Sequence, residues 1–319
     1  MRVKLAYGRA GMTVNMPDNR TTIIEPLFMP SIPDEAASVF HGLTHPISSP
    51  PLRDVISADD SVAVVFCDIT RPMPNKLVLP VVLQELSHVP RQNIVLICAT
   101  GTHRGNTREE LEQMLGADVV RHYRIVNHDA ADRSTQTLVG RLIDGTEVWI
   151  NSELLNAKKR VLTGFIEPHF FAGFSGGPKM VAPGCAGLET ILSLHSARLI
   201  GDPKATWGVT DGNPLWEHIA AAARFVDVDF NVNVTINKKH QVTNVFAGEL
   251  WSSHGIGVEF ARKTAMRGVS QPFDVVVTTN AGYPLDLNLY QTVKGMSAAA
   301  QIVRPGGAIV VASECSDGI

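Results

Sequence analysis

The sequence is short of charge, of aromatic residues and of paired cysteines. Charged residues make up 18% of its 319 positions and Phe, Trp and Tyr 6%, with a formal net charge of −3. A nearly neutral chain without a basic run interleaved with aromatics lacks the electrostatic footprint for nucleic acid or an anionic membrane surface. No apolar run approaches the roughly 20 residues that a spanning helix needs. Residues 1–8 lack a signal peptide's apolar core and small-residue cleavage site. Cys67, Cys98, Cys185 and Cys315 stand singly, with no Cys-x-x-Cys pair. They make no disulfide framework, and a reducing cytoplasm suits them.

What is present is a repeated alternation. Residues 61–66, Ser-Val-Ala-Val-Val-Phe, form a short β-branched run of the kind that fills a buried parallel strand. Asp68, Thr70 and Arg71 follow it directly, and apolar residues at helical spacing run from Asn75 to Ser87 with Pro80 among them. Residues 93–98 repeat the strand, and Gly101, His103 and Arg104 lie in its exit loop. Thr107 and Glu110 have the spacing of a capping box that opens a helix through Leu115. Residues 160–164 start a third copy. Such alternation predicts βαβ units and a parallel sheet covered by helices. Ligands of such sheets lie beyond the carboxyl ends of the strands, where all three polar loops fall.

The third exit loop, residues 164–179, carries the densest chemistry. It holds His169, four glycines including Gly176 and Gly177, and Lys179. It is not a Walker loop, because Pro178 precedes the lysine and Met180 follows it. Lys179 reads either as a solvated lysine or as a covalent anchor or phosphate contact. A helix is expected over 188–200, carrying His195. Further expectations are a helix over 215–225, a strand over 231–236 with its return over 243–248, and a helix over 252–267. The domain boundary is expected there, giving domains 1–267 and 268–319. The second reads as an α/β unit too small to stand alone, as in a truncated or partly ordered longer protein.

Taken singly, each polar residue has a bland reading. His103 suits a helix entry and His195 a satisfied core position. Asp68 and Arg71 suit a mutual pair, or contacts to a ribose hydroxyl and an anion. Gln291 and Lys294, at i and i+3, lie on one helix face and could take a carboxylate. Three histidines raise a zinc site, but no His-Glu-x-x-His is present. A lysine beside glycines raises pyridoxal phosphate, without a separate phosphate cup to support it.

As a set, the motifs resemble the nickel-pincer lactate racemase family. They are Asp68-x-Thr70-Arg71-Pro72, Gly101-x-His103-Arg104, Pro168-His169-x-x-Ala172-Gly173-x-Ser175-Gly176-Gly177-x-Lys179 with His195, Gly212-Asn213-Pro214, and Tyr290-Gln291-x-x-Lys294-Gly295. The resemblance implies two α/β domains with the active site in the cleft between them. It implies a nickel-pincer nucleotide, the pyridinium-3,5-bisthiocarboxylic acid mononucleotide of nickel, tethered to Lys179. His195 would be the protein's nickel ligand, and Asp68, Thr70, Gly176 and Gly177 would bind the nucleotide. His103 and His169 would be the paired acid/base residues. Arg71, Tyr290, Gln291 and Lys294 would hold the substrate. Cofactor-biosynthesis proteins would be partners.

That chemistry suits these residue types. Inverting a 2-hydroxy acid passes through a planar 2-oxo acid by hydride transfer to and from the cofactor. Each enantiomer then needs its own base for the hydroxyl proton. The implied activity is a racemase or epimerase of 2-hydroxy acids, lactate-like by default, with sugar acids as further substrates. The alternative from another class is a non-catalytic store or carrier of the nickel cofactor.

Overall fold

The computed structural model describes residues 1–283 and 285–318, and the backbone alone of Tyr290. In chain order, β1 (Arg2–Leu5) and β2 (Met12–Asn15) form a hairpin, followed by α1 (Glu35–Thr44) and α2 (Leu52–Val55). Then come β3 (Val62–Cys67), α3 (Asn75–Glu85), β4 (Ile94–Ala99), α4 (Arg108–Leu115), α5 (Ala117–His122) and β5 (Arg124–Asn127). The hairpin β6 (Gln136–Arg141) and β7 (Glu147–Asn151) leads through α6 (Ser152–Asn156) into β8 (Lys159–Phe165). Two short strands, β9 (Pro168–His169) and β10 (Gly173–Phe174), precede α7 (Leu188–Leu194), α8 (Ala197–Ile200) and α9 (Pro214–Ala223). The larger unit closes with β11 (Phe230–Ile236), β12 (Val242–Gly248) and α10 (Leu250–Ala265). β13 (Phe273–Thr279), α11 (Leu289–Ala300) and β14 (Val303–Ala312) complete the chain.

The central sheet has the order β12-β11-β8-β3-β4-β5. All pairs are parallel except β11 with β12. The β-branched runs take its middle because both faces there are covered. All six residues of β3 are buried. Burying each of its larger apolar side chains is worth roughly 1.5–3 kcal/mol against leaving it exposed. α3 keeps Pro80 inside the helix. Thr107 and Glu110 form the expected capping box on α4.

The chain divides into two compact units, Leu27–Ala265 and Met1–Pro26 with Met266–Ile319. The expected boundary near residue 267 falls beside this division, while the expected first domain also included residues 1–26. The opening hairpin belongs with the C-terminal segment because its turn is bonded there. Gly8 N donates to Asp286 Oδ2 at 2.7 Å, and Tyr283 N donates to Gly8 O at 2.9 Å. The Arg9 guanidinium lies 3.4 Å from the centre of the Tyr283 ring. In this smaller unit β13 and β14 pair in parallel.

Candidate active site

β8, β3 and β4 are neighbours in the sheet, so their exit loops leave side by side. At the end of β3 the Asp68 side chain is buried, 3% exposed, while the His103 side chain beyond β4 is 37% exposed. His103 Nδ1 lies 2.9 Å from Asp68 Oδ2. A carboxylate only accepts, so this nitrogen carries the hydrogen and Nε2 keeps a lone pair on the neutral ring. Thr70 Oγ1 lies 2.9 and 3.0 Å from the two Asp68 oxygens and 3.3 Å from His103 Nδ1. Arg71 Nη1 donates to Thr70 Oγ1 at 2.9 Å. Asp68 thus bonds His103 and not Arg71, whose mutual pair was one of two readings of these residues. Asp68 and Thr70, expected at the nucleotide, have partners within the protein.

Arg104 turns away from this group. It forms a two-pronged pair with Glu110 at 2.8 and 2.6 Å. That bond, with the Thr107 amide, holds the Glu110 carboxyl down to about 2. Burial pushes the thiols of Cys67 and Cys185 up to about 12, and Cys98 up as well. None of these three offers a thiolate at neutral pH.

The loop beyond β8 folds back as the β9–β10 pair, with His169 opposite Gly173. His169 Nδ1 accepts from the amides of Phe171 at 3.3 Å and Ala172 at 3.1 Å. With Nδ1 an acceptor, the neutral His169 ring carries its hydrogen on Nε2, the reverse of His103. Phe170 packs beside the ring at 4.9 Å between centroids. Lys179 sits in a 3-10 turn, Gly177–Met180, entered through Gly176 and Gly177 at φ +76° and +50°. Lys179 O accepts from Gly184 N at 3.0 Å, and Gly184 O accepts from Gly101 N at 3.0 Å. Two backbone bonds thus tie the lysine turn to the His103 loop. Met180 Sδ lies 3.7 Å from Cys67 Sγ at the end of β3.

His195 is not inside a helix over 188–200. It caps the C-terminus of α7, and Ser196 separates α7 from α8. Its Nδ1 lies 2.8 Å from Ile191 O. A carbonyl can only accept, so Nε2 has the free lone pair that a metal ligand needs. This is the feature that fits the chain to a nickel cofactor with one protein ligand. Among the described residues no group of three or more His, Cys, Asp and Glu is arranged to hold a metal ion. In the smaller unit, Lys294 Nζ donates to Gln291 Oε1 at 2.8 Å on α11. The Tyr290 side chain, expected at the substrate, lies outside what the structure describes. Concave surfaces beside Arg224 and Trp251, and beside Arg91 and Tyr123, hold none of these groups.

Asn106 escaped the sequence reading, and Asn213 was part of a motif without a role assigned to it. Asn106 Oδ1 accepts from Ile69 N at 3.2 Å, which fixes the Asp68 loop to the loop after His103. Asn213 caps α9 by accepting from the amides of Leu215 and Trp216 at 3.0 and 3.2 Å. Its Nδ2 donates to Phe171 O at 2.8 Å, which secures the His169 loop. The Gly-Asn-Pro spelling was the signal: Asn at the cap and Pro at the first helical position.

Residues 7–208 match the family described as the lactate racemase N-terminal domain, and residues 269–319 the lactate racemase C-terminal domain. A lactate racemase of Thermoanaerobacterium thermosaccharolyticum is 36% identical over 320 residues, covering 99% of this chain and 75% of that protein. One from Lactiplantibacillus plantarum is 36% identical over 288 residues, covering 89% and 67%. The structure of the T. thermosaccharolyticum lactate racemase apoprotein matches all of this chain and 75% of its own at a TM-score of 0.94. A Thermotoga maritima protein, 21% identical, shares the fold at a TM-score of 0.67 over 82% of this chain and 67% of its own.

Proposed function

The chain belongs to the lactate racemase family, and we propose that it interconverts the enantiomers of lactate or a closely similar 2-hydroxy acid. The observation that carries this reading is the opposite setting of two imidazoles. His103 offers a lone pair at Nε2, backed by Asp68, and His169 offers an N–H at Nε2. Racemisation needs one group that accepts the hydroxyl proton and another that hydrogen-bonds the oxygen and, once it carries a second proton, returns one to it.

When bound on Lys179, a nickel-pincer nucleotide would supply the hydride acceptor and donor. His195 would hold its nickel through Nε2, and the turn at Gly176 and Gly177 would lie along its nucleotide. His103 takes the substrate's hydroxyl proton, and the Asp68 carboxylate stabilises the imidazolium that results. Arg71, held on Thr70, binds the substrate carboxylate and fixes its orientation. Tyr290, Gln291 and Lys294 would be further substrate-binding residues, as their motif implies. His169 serves the opposite enantiomer. As base or as acid through Nε2 its Nδ1 must carry a hydrogen and so let go of the Phe171 and Ala172 amides, and its turn in the reaction comes with movement of that loop.

No helix among the described residues is long and apolar enough to cross a membrane. The four cysteines are unpaired, which supports a cytoplasmic place of work. Cofactor-biosynthesis proteins are the expected partners. The test is to give the protein, made in a host that synthesises the cofactor, a single enantiomer of lactate and follow the mixture by chiral chromatography. Approach to an equal mixture supports the proposal. A loaded protein that leaves a panel of 2-hydroxy acids unchanged contradicts it and favours cofactor storage.

A further inference from the structure

We propose that Asn233 and His254 are positioning residues for Lys179, holding its glycine turn from beneath through a buried amide relay. This rests on the reading of Lys179 as the cofactor anchor. It assigns work to residues on two elements, β11 and α10, that none of the motifs includes.

Asn231 and Asn233 lie two apart on β11, so both face the same side of the sheet. Both are fully buried, as is Ser253 on α10. A covered strand face is normally apolar, because each buried amide costs free energy unless every polar atom is bonded. Here the bonds form a chain. Asn231 Nδ2 lies 2.9 Å from Ser253 Oγ, and Asn233 Nδ2 donates to Asn231 Oδ1 at 2.7 Å. That leaves Asn233 Oδ1 to accept from Gly177 N at 3.1 Å. The relay therefore ends on the first residue of the turn that carries Lys179.

His254 holds the residue two positions earlier. Its Nε2 donates to Ser175 O at 2.9 Å, and its ring stacks on Trp216 at 5.3 Å and 16°. Burial pushes its pKa down to about 4, which keeps the ring neutral at physiological pH. The two side chains also leave the glycines no room. A Cβ on Gly176 would lie 2.5 Å from Asn233 Oδ1, and one on Gly177 would collide with the His254 ring. Both glycines have positive φ, which a larger residue adopts only with strain. Turn and support thus require one another. The placement matters because a reacting group misplaced by about 1 Å can lose on the order of a hundredfold in rate.

The test uses Asn233→Ala, His254→Phe and His254→Gln in the full chain, made with and without the cofactor pathway. Phe keeps a ring against Trp216 but cannot donate to Ser175, whereas Gln retains a donor. In cofactor-free protein, Asn233→Ala should lose at least tenfold of the hydrogen-exchange protection at Gly177, with β3 and β4 unchanged. In the competent host the adduct on Lys179 should fall severalfold in Asn233→Ala and His254→Phe, and recover in His254→Gln. Unchanged Gly177 protection, or wild-type loading in both non-donating variants, overturns the proposal. If Asn233→Ala does not fold, the Phe and Gln variants decide by their difference in loading. An unmodified Lys179 in the wild-type protein from the competent host defeats the anchor reading instead. Exchange at Gly177 then still judges the relay.

Discussion

His103 Nδ1 and Asp68 Oδ2 lie 2.9 Å apart, joining the exit loops of two adjacent parallel strands. The buried carboxylate fixes which nitrogen of the half-exposed ring keeps its lone pair. Asp68→Asn keeps the shape but removes the charge and offers the ring a donor or a neutral acceptor. Loss of the correct tautomer and of imidazolium stabilisation in such a pair typically costs up to about ten-thousandfold in turnover. The expected result is a fall of a hundredfold or more in kcat, with the amount of adduct on Lys179 unchanged. Steady-state kinetics normalised to adduct content checks this.

His103→Ala and His169→Ala should each lower interconversion by roughly a hundred- to ten-thousandfold. Two enantiomers have equal free energy in solution, so kcat/KM must fall by the same factor in both directions. Full activity in either variant would remove the acid/base assignment from that residue.

His195→Ala separates the metal from its tether. The adduct on Lys179 should persist while the nickel-to-adduct ratio drops well below that of the wild type. Metal analysis and peptide mass spectrometry on one sample give the ratio. An unchanged ratio contradicts the ligand role.

Acid should weaken the fold through buried histidines. His254, near 4 in the folded state, takes up a proton on unfolding throughout the interval from about 6.5 down to 4. Its contribution is complete above pH 6.5 and is lost as the pH falls to 4, at up to about 1.4 kcal/mol per pH unit. Burial lowers His128 too, with the same sign. Denaturant midpoints measured across that range should decline less steeply in His254→Gln than in the wild type. Parallel declines would contradict the buried neutral state.

The middle of the sheet was legible because β3, β4 and β8 need apolar residues on both faces, and their sequences have them. The capping box of α4 was legible for a similar reason: its two bonds require those side chains at that spacing. β5 and the β6–β7 hairpin were not read. β5 is a four-residue edge strand with no buried residue, and Leu138 of the hairpin is largely exposed. The break at Ser196 was hidden because neither Gly nor Pro marks it. Nothing in a four-residue strand names its partner, so the grouping of the opening hairpin with the C-terminal segment was invisible. Alternating Asn and Val in β11 reads as a half-solvated strand, and only the packing of α10 over that face shows that the amides are buried. His103, His169, His195 and Lys179 stood out in the sequence as parts of a set of motifs. The hydrogen bonds that set the histidine tautomers did not.

The central claim is that Lys179 anchors a nickel-bearing cofactor beside the His103 base. Its most direct test is intact-protein and peptide mass spectrometry, with nickel quantified on the same sample, from a host that makes the cofactor. An adduct of nucleotide size on the Lys179 peptide with stoichiometric nickel is the predicted result. An unmodified Lys179 from that host would contradict the account.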